Sequence, residues 1–239
     1  MKNIQRVIPG FIAVLVLGLG LMSCSNSSTN PNSGNTLGDM QLLNLSSKVP
    51  TQLQSNSPAA YQMVMLMQTQ ISMGQSVLDT MSSVLGGNTG EYTETQGQLT
   101  ATYMAESQTK NGIEGIAWSL TLDGTQQVDD TTTVTFNNDQ IFNGWTSNDG
   151  LNGNYTFDYS AYTNAANSGS VSGDFSGVYE VQWSEDSDEN VSVDSNIQSS
   201  NETVTYSLTI DPDGAGSISM NGSVMYEWDS DGNIVNSNG

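Results

Sequence analysis

The sequence predicts an α+β protein, mostly antiparallel β: a meander of seven or more strands forming a curved sheet or open barrel packed on one long N-terminal helix. Three observations carry this. Apolar residues recur at helical spacing over Pro58–Leu85, at Ala60, Val64, Met67, Ile71, Gly74, Leu78, Met81 and Leu85. From Glu91 onward the period changes to two, with large apolar residues alternating with Thr, Ser, Asn and acids. One apolar and one wet face is the pattern of antiparallel sheet rather than of doubly buried parallel sheet. Between the patterned segments stand turn sequences, Asn111-Gly112, Asp123-Gly124, Asn148-Asp149-Gly150, Asp211-Pro212-Asp213-Gly214 and Asp231-Gly232. A two-sheet β-sandwich is the alternative arrangement.

Taken in chain order, the first element is an export address. Lys2 and Arg6 give a basic start, and residues 11–22 form an apolar run broken only by Gly18 and Gly20. A spanning helix needs about 20 apolar residues, so residues 1–23 read as a cleavable signal peptide. The run ends Leu21-Met22-Ser23-Cys24, around the only cysteine of the chain. This ending resembles the lipobox of bacterial lipoproteins. The resemblance implies cleavage before Cys24, lipidation of its sulfur with palmitate-type acyl chains, and membrane anchoring by them. Each buried methylene contributes about 0.8 kcal/mol, so two or three chains anchor stably. Ser25, where Asp would disfavour it, implies the outer membrane of the bacterial cell envelope.

Residues 24–38 then form the lipidated cysteine and a polar tether, with a coil dimension of about 20 Å. Residues 39–87 form a helical segment. Its first part, residues 40–53, reads as a weaker helix with Asp39 as N-cap, Leu42, Leu43 and Leu45 apolar, and Pro50 interrupting. The long helix follows at Pro58–Leu85. Ser57 suits the N-cap, Pro58 the first helical position, and Gly86-Gly87 the stop. At 1.5 Å per residue it is about 42 Å long, enough to roof a whole sheet. Met63, Met65, Met67, Met73 and Met81 make it methionine-rich, which also suits repacking around a hydrophobic ligand. On that reading Met63, Met67, Ile71, Leu78 and Met81 line the ligand site. Gln68 and Gln75 fall on the polar side.

The β domain covers residues 88–236, with residues 237–239 as a disordered end. Seven apolar sets mark its strands. They are Leu99 to Ala105, Ile116 to Leu122, Val134 to Phe142, Tyr155 to Tyr159, Phe175 to Trp183, Val204 to Ile210, and Ile218 to Trp228. Residues 185–201, with five acids in the first ten, read as a long exposed hairpin loop. All four tryptophans sit in or near apolar strand patterns and read as core.

Composition restricts the chemistry. The chain has no histidine and one cysteine, which removes imidazole bases, Ser-His and Cys-His nucleophile pairs, and His- or Cys-rich metal sites. After Cys24 there remain two lysines, Lys48 and Lys110, against all 25 acids, a formal charge of −23. Such a surface repels phosphate backbones, so the partners expected are the membrane, through the anchor, and no nucleic acid. Calcium is the one cofactor the composition permits, since it takes oxygen ligands. Its candidate ligands are Asp211, Asp213, Asp229 and Asp231, although neither stretch has the spacing or the final Glu of an EF-hand. The same Asp-Gly stretches serve equally as hairpin turns. An enzyme would have to pair carboxylates across a cleft. Glu91, Glu94, Glu106, Glu114, Glu180, Glu202 and Glu227 lie in or beside strands, with Glu106, Glu114 and Glu180 on the wet face.

The function expected is a non-enzymatic binding or structural module of the cell envelope. The order of signal, cysteine, long helix and antiparallel meander is similar in outline to lipoprotein carriers of the LolA/LolB kind. That outline implies the alternative, a carrier of a lipid or other hydrophobic ligand in the periplasm or at the outer membrane. A carboxylate-based carbohydrate-active enzyme is the third reading.

Overall fold

The computed structural model of the protein describes residues 37–127, 133–158, 160, 177–198 and 202–237. Cys24, the tether up to residue 36, Tyr159 and Phe175 lie outside the described residues. Two 3-10 turns (Leu37–Asp39 and Leu45–Ser47) and a single helical turn α1 (Leu53–Asn56) precede the long helix α2 (Pro58–Leu85). Eleven strands follow among the described residues. They are β1 (Gly90–Gln96), β2 (Leu99–Lys110), β3 (Ile113–Gln127), β4 (Thr133–Ser147), β5 (Gly153–Asp158), β6 (Val178–Glu185), β7 (Val191–Gln198), β8 (Thr203–Ile210), β9 (Gly216–Met220), β10 (Ser223–Trp228) and β11 (Ile234–Ser237).

All eleven belong to one sheet in strict sequence order, each pair antiparallel. The sheet is open: β1 pairs with β2 and β11 with β10, and the two edges do not meet. One continuous sheet excludes the sandwich arrangement. The meander is finer than the apolar pattern suggests. Residues 218–228 are two strands, because Asn221 (φ 50) and Gly222 (φ 77) make a two-residue reversal between Met220 and Ser223. Both central positions take positive φ, as a tight hairpin of matching twist requires. Residues 185–201 are not one loop: Asp186 to Asn190 make a tight turn, and β7 buries Val191 and Val193. Edge strands β1 and β11 lack a large apolar set and are invisible to that pattern. β11 extends to Ser237, into the stretch expected to be disordered.

Helix α2 begins and ends as its sequence dictates. Ser57 Oγ accepts from Ala60 N at 3.4 Å, and Gly86 adopts the left-handed conformation (φ 63) that closes the last turn. Ala60, Val64, Met67, Ile71, Gly74, Val77, Leu78 and Met81 are buried against the sheet. Near its start Asn56 Nδ2 donates to Asn233 Oδ1, beside the β10–β11 turn, and Leu85 at its end lies against Gly90 of β1. The helix therefore crosses the strands from one sheet edge to the other. Its length, about 42 Å, covers most of the roughly 48 Å across eleven strands about 4.8 Å apart.

Residues 40–53 are not a helix. Leu42, Leu45, Val49 and Leu53 have helical spacing, yet the chain forms an extended arm with short turns, its Leu42 and Leu45 amides bonded to Gln75 and Gln68 of α2 rather than within a helix. Leu37, Met40, Leu42, Leu43, Leu45, Val49 and Leu53 are all buried along it. Asp39 ends the first 3-10 turn rather than starting a helix, and Asn44 caps the second, its side chain accepting from Ser46 N. The arm runs antiparallel to α2: Leu37 N bonds Gly87 O at the far end of the helix. It then follows successive turns of the meander. Leu43 N bonds Gly150 O, Lys48 Nζ reaches Glu185 at 2.6 Å, Pro50 meets Gly214, and Leu53 meets Gly232. Helix and arm together cover the inner face of the sheet, and their apolar side chains form one core cluster with it.

Candidate functional site

Three places carry the residues singled out by sequence: the helix–sheet interior, the aspartate turns and the outer face. In the interior, Met67, Ile71, Leu78 and Met81 are completely inaccessible, which leaves no space for a water-sized sphere beside them. Met63 sits on the shoulder of the helix, partly buried against the core. Tyr155 of β5 stands at the centre, its ring within 6.0–6.4 Å of Trp118, Phe142, Tyr179 and Trp183. Its hydroxyl donates to Gln70 O of α2 at 2.6 Å. Gly74 lies over this ring, with a hypothetical Cβ 3.1 Å from it, so a small residue lets the helix seat there. Burial pushes the Tyr155 hydroxyl well above the ordinary phenol range, with the neighbouring Tyr179 adding to it. The Gln70 side chain, 3% exposed, has neither amide atom hydrogen-bonded.

Two glutamines have a role that helical periodicity hides. Gln75 Oε1 accepts from Leu42 N at 2.8 Å, and its Nε2 donates to Met40 O at 3.0 Å and Asp79 Oδ1 at 2.7 Å. Gln68 Oε1 accepts from Leu45 N at 2.6 Å, and its Nε2 donates to Leu43 O at 3.5 Å. An extended arm beside a helix has no strand to pair with. These amides, each donor and acceptor at once, take that place. Gln68 and Gln75 are therefore not idle polar-side residues. Their seven-residue spacing, two helical turns, is the signal that identifies them.

The four aspartates proposed for calcium fall in two separate hairpin turns. Asp211 N bonds Ala215 O, Gly214 N bonds Asp211 O, and Asp213 Oδ1 accepts from Ala215 N. Asp229 Oδ1 accepts from Asp231 N at 3.0 Å and from Asn233 N at 2.9 Å, and both of its oxygens receive Asn233 Nδ2. Asp186 repeats this scheme with Asp188 and Asn190. The shared pattern Asp-Ser-Asp-x-Asn reveals the second such turn within residues 185–201. Hydrogen bonds from Asn190 and Asn233 hold the Asp186 and Asp229 carboxyls below the usual carboxylate range. Among the described residues, no three His, Cys, Asp or Glu side chains converge as a metal-holding group. The geometry of each turn is accounted for by its own backbone and side-chain donors.

The outer face is uncovered sheet. Glu106 and Glu180 are exposed on it, as the alternation predicts, among Thr, Ser, Asn and Gln. Glu114, expected there, is exposed but on the other face: it stands two residues before Ile116 in register with Thr109, while Gly115 beside it lies under Trp145 on the outer face. Cross-strand hydroxyl and carboxylate pairs tie it together: Thr93–Thr102 at 3.2 Å, Thr95–Thr100 at 3.0 Å and Ser207–Asp194 at 2.6 Å. Trp145 departs from the expected core placement. Trp118, Trp183 and Trp228 belong to the inner cluster, but Trp145 pairs with Ala117 and Asn154 on the outer face. It is buried by lying over Gly115, donates to Gln108 O at 3.1 Å, and carries Lys110 Nζ 5.4 Å from its ring centre. Glu94 also departs from the outer set. It pairs with Ala101 on the helix-side face, and after burial itself its charge is the next cause that pushes Tyr103 up to about 12. Of the other glutamates, Glu91 lies on the outer side of β1, Glu202 just before β8 and Glu227 on β10, and Glu180 accepts from Asn196 Nδ2.

No family model, curated protein or solved structure matches the chain. Among the described residues no helix is long and apolar enough to cross a membrane.

Proposed function

We propose that the chain is a cell-envelope lipoprotein, anchored through acyl chains on Cys24, that presents its sheet as a non-enzymatic binding or structural module. The anchor rests on the Leu21-Met22-Ser23-Cys24 ending, and the outer-membrane destination on Ser25. The observation that carries the module reading is the packing of the inner face. Arm and helix occupy it with inaccessible side chains, so the surface on offer is the outer face and the turns. The carrier reading needs room under the helix, and the complete burial of Met67, Ile71, Leu78 and Met81 gives it no support.

Fractionation of cells expressing the full chain tests the anchor. Cys24→Ala should move the protein from the membrane to the soluble fraction, and a variant still membrane-bound after a carbonate wash would refute it. Native mass spectrometry of protein purified from its own host tests the module: it should carry no lipid beyond the anchor. A stoichiometric noncovalent lipid would favour the carrier.

A further inference from the structure

Strand β1 is a sheet edge with the makings of a template for strand addition. It pairs with β2 along all seven residues, and among the described residues nothing pairs with its other side. Its sequence, Gly-Glu-Tyr-Thr-Glu-Thr-Gln, has no proline and no lysine, and Tyr92, Thr93 and Thr95 at its centre are β-formers. The opposite edge is protected by other means: β11 has four residues, and the register of β10 against it is broken between Glu227 and Trp228. Such shortness and irregularity discourage pairing.

What β1 has instead is Glu94 on the inner side. The register sets Tyr92 opposite Tyr103, Glu94 opposite Ala101 and Gln96 opposite Leu99, all on the face that packs under the helix. Tyr103 and Ala101 are fully buried, and Glu94 itself is half-buried at the sheet margin. A twelfth strand laid on β1 would extend the inner face and enclose this carboxylate between Ala101 and the newcomer. Taking a charge out of water without a cation is strongly unfavourable. Among the described residues no basic side chain stands ready: Lys48 is engaged by Glu185, and Lys110 lies over Trp145.

We propose that Glu94 guards the β1 edge against the β1 strand of a second copy of this chain. An antiparallel β1–β1 pair centred on Thr93 would set Glu94 of each copy opposite Tyr92 of the other. The two carboxylates would then be diagonal neighbours about 7 Å apart on one apolar face, where like charges repel. Removing the charge removes both penalties while leaving the backbone template intact.

The test is hydrogen exchange across residues 90–96, measured with sedimentation on the full chain in detergent, at low and at high protein concentration. In the wild type, β1 exchange should not depend on concentration. In Glu94→Val and Glu94→Gln it should slow by about tenfold or more on concentrating, as the chain dimerises. Glu91→Gln, on the outer face, should behave as wild type. Wild-type protection of β1 on concentrating would overturn the proposal. So would Val and Gln variants that are folded by circular dichroism yet stay monomeric, or that associate without protecting β1. If Glu94→Val precipitates, the Gln variant, which keeps the shape of the side chain, decides.

Discussion

Replacing Gln75 by Ala tests whether the arm is held by the helix or merely lies beside it. The substitution deletes three hydrogen bonds, two of them to backbone groups of Met40 and Leu42, both buried. A net hydrogen bond contributes about 1 kcal/mol, and a buried group left unpaired costs about 1–3 kcal/mol. Gln75 is itself half-exposed, so water can reach part of the gap, and the expected loss is about 2–4 kcal/mol. For a domain of this size that lowers Tm by roughly 5–15 °C. Urea melts of wild type, Gln75→Ala and Ser76→Ala provide the comparison. Among the described residues the exposed Ser76 hydroxyl bonds only Ser72 O within its own helix, so its removal should stay within about 0.5 kcal/mol. Exchange of the Leu42 amide should accelerate in Gln75→Ala before the strands open, since it loses its acceptor. A loss under about 0.5 kcal/mol for Gln75→Ala, with Leu42 exchange unchanged, would refute the clamp.

Ile71→Ala and Leu78→Ala should each cost about 2–5 kcal/mol in lipid-free protein, through lost burial and the cavity left behind; near-neutral melts of both would reopen the carrier reading. Gly153→Ala should destabilise by at least about 1–3 kcal/mol and alter the near-ultraviolet dichroism, because a Cβ there would overlap the Trp183 indole across the strand pair. An unchanged melt and tryptophan spectrum would contradict that packing. Alkaline pH should unfold the protein: burial foremost raises Tyr103 to about 12 and pushes Tyr155, Tyr179 and Tyr206 upward. Below about pH 10 the phenols are protonated in both states and their contribution is complete. Above it the unfolded chain ionises first, so stability falls as pH rises toward the folded values. A melting temperature flat between pH 9 and about 11.5 would contradict this.

Local chemistry made much of this protein legible in one dimension. The 3-4 stripe, the Ser57-Pro58 start and the Gly86 stop define α2 to the residue, because caps and burial periodicity act within a few residues of each other. Period-two alternation likewise puts Glu106 and Glu180 outside, since a strand turns successive side chains to opposite faces; counted from Ile116, the same rule puts Glu114 on the helix side, not outside as expected. Three things were decided only by tertiary structure. The arm reads as helix because it is leucine-rich, but its extended path is stabilised by Gln68 and Gln75, which are 23 and 33 residues away from the amides they bind. Trp145 reads as core because it is large and apolar, yet a glycine on the neighbouring strand and Lys110 provide its burial on the wet face. Glu94 reads as one more surface acid, and only the β1–β2 register puts it on the inner side. The reason is common to all three. Hydrophobicity and propensity are properties of a residue, whereas a hydrogen-bond partner, a covering ring and a strand register are set by segments far away in the chain.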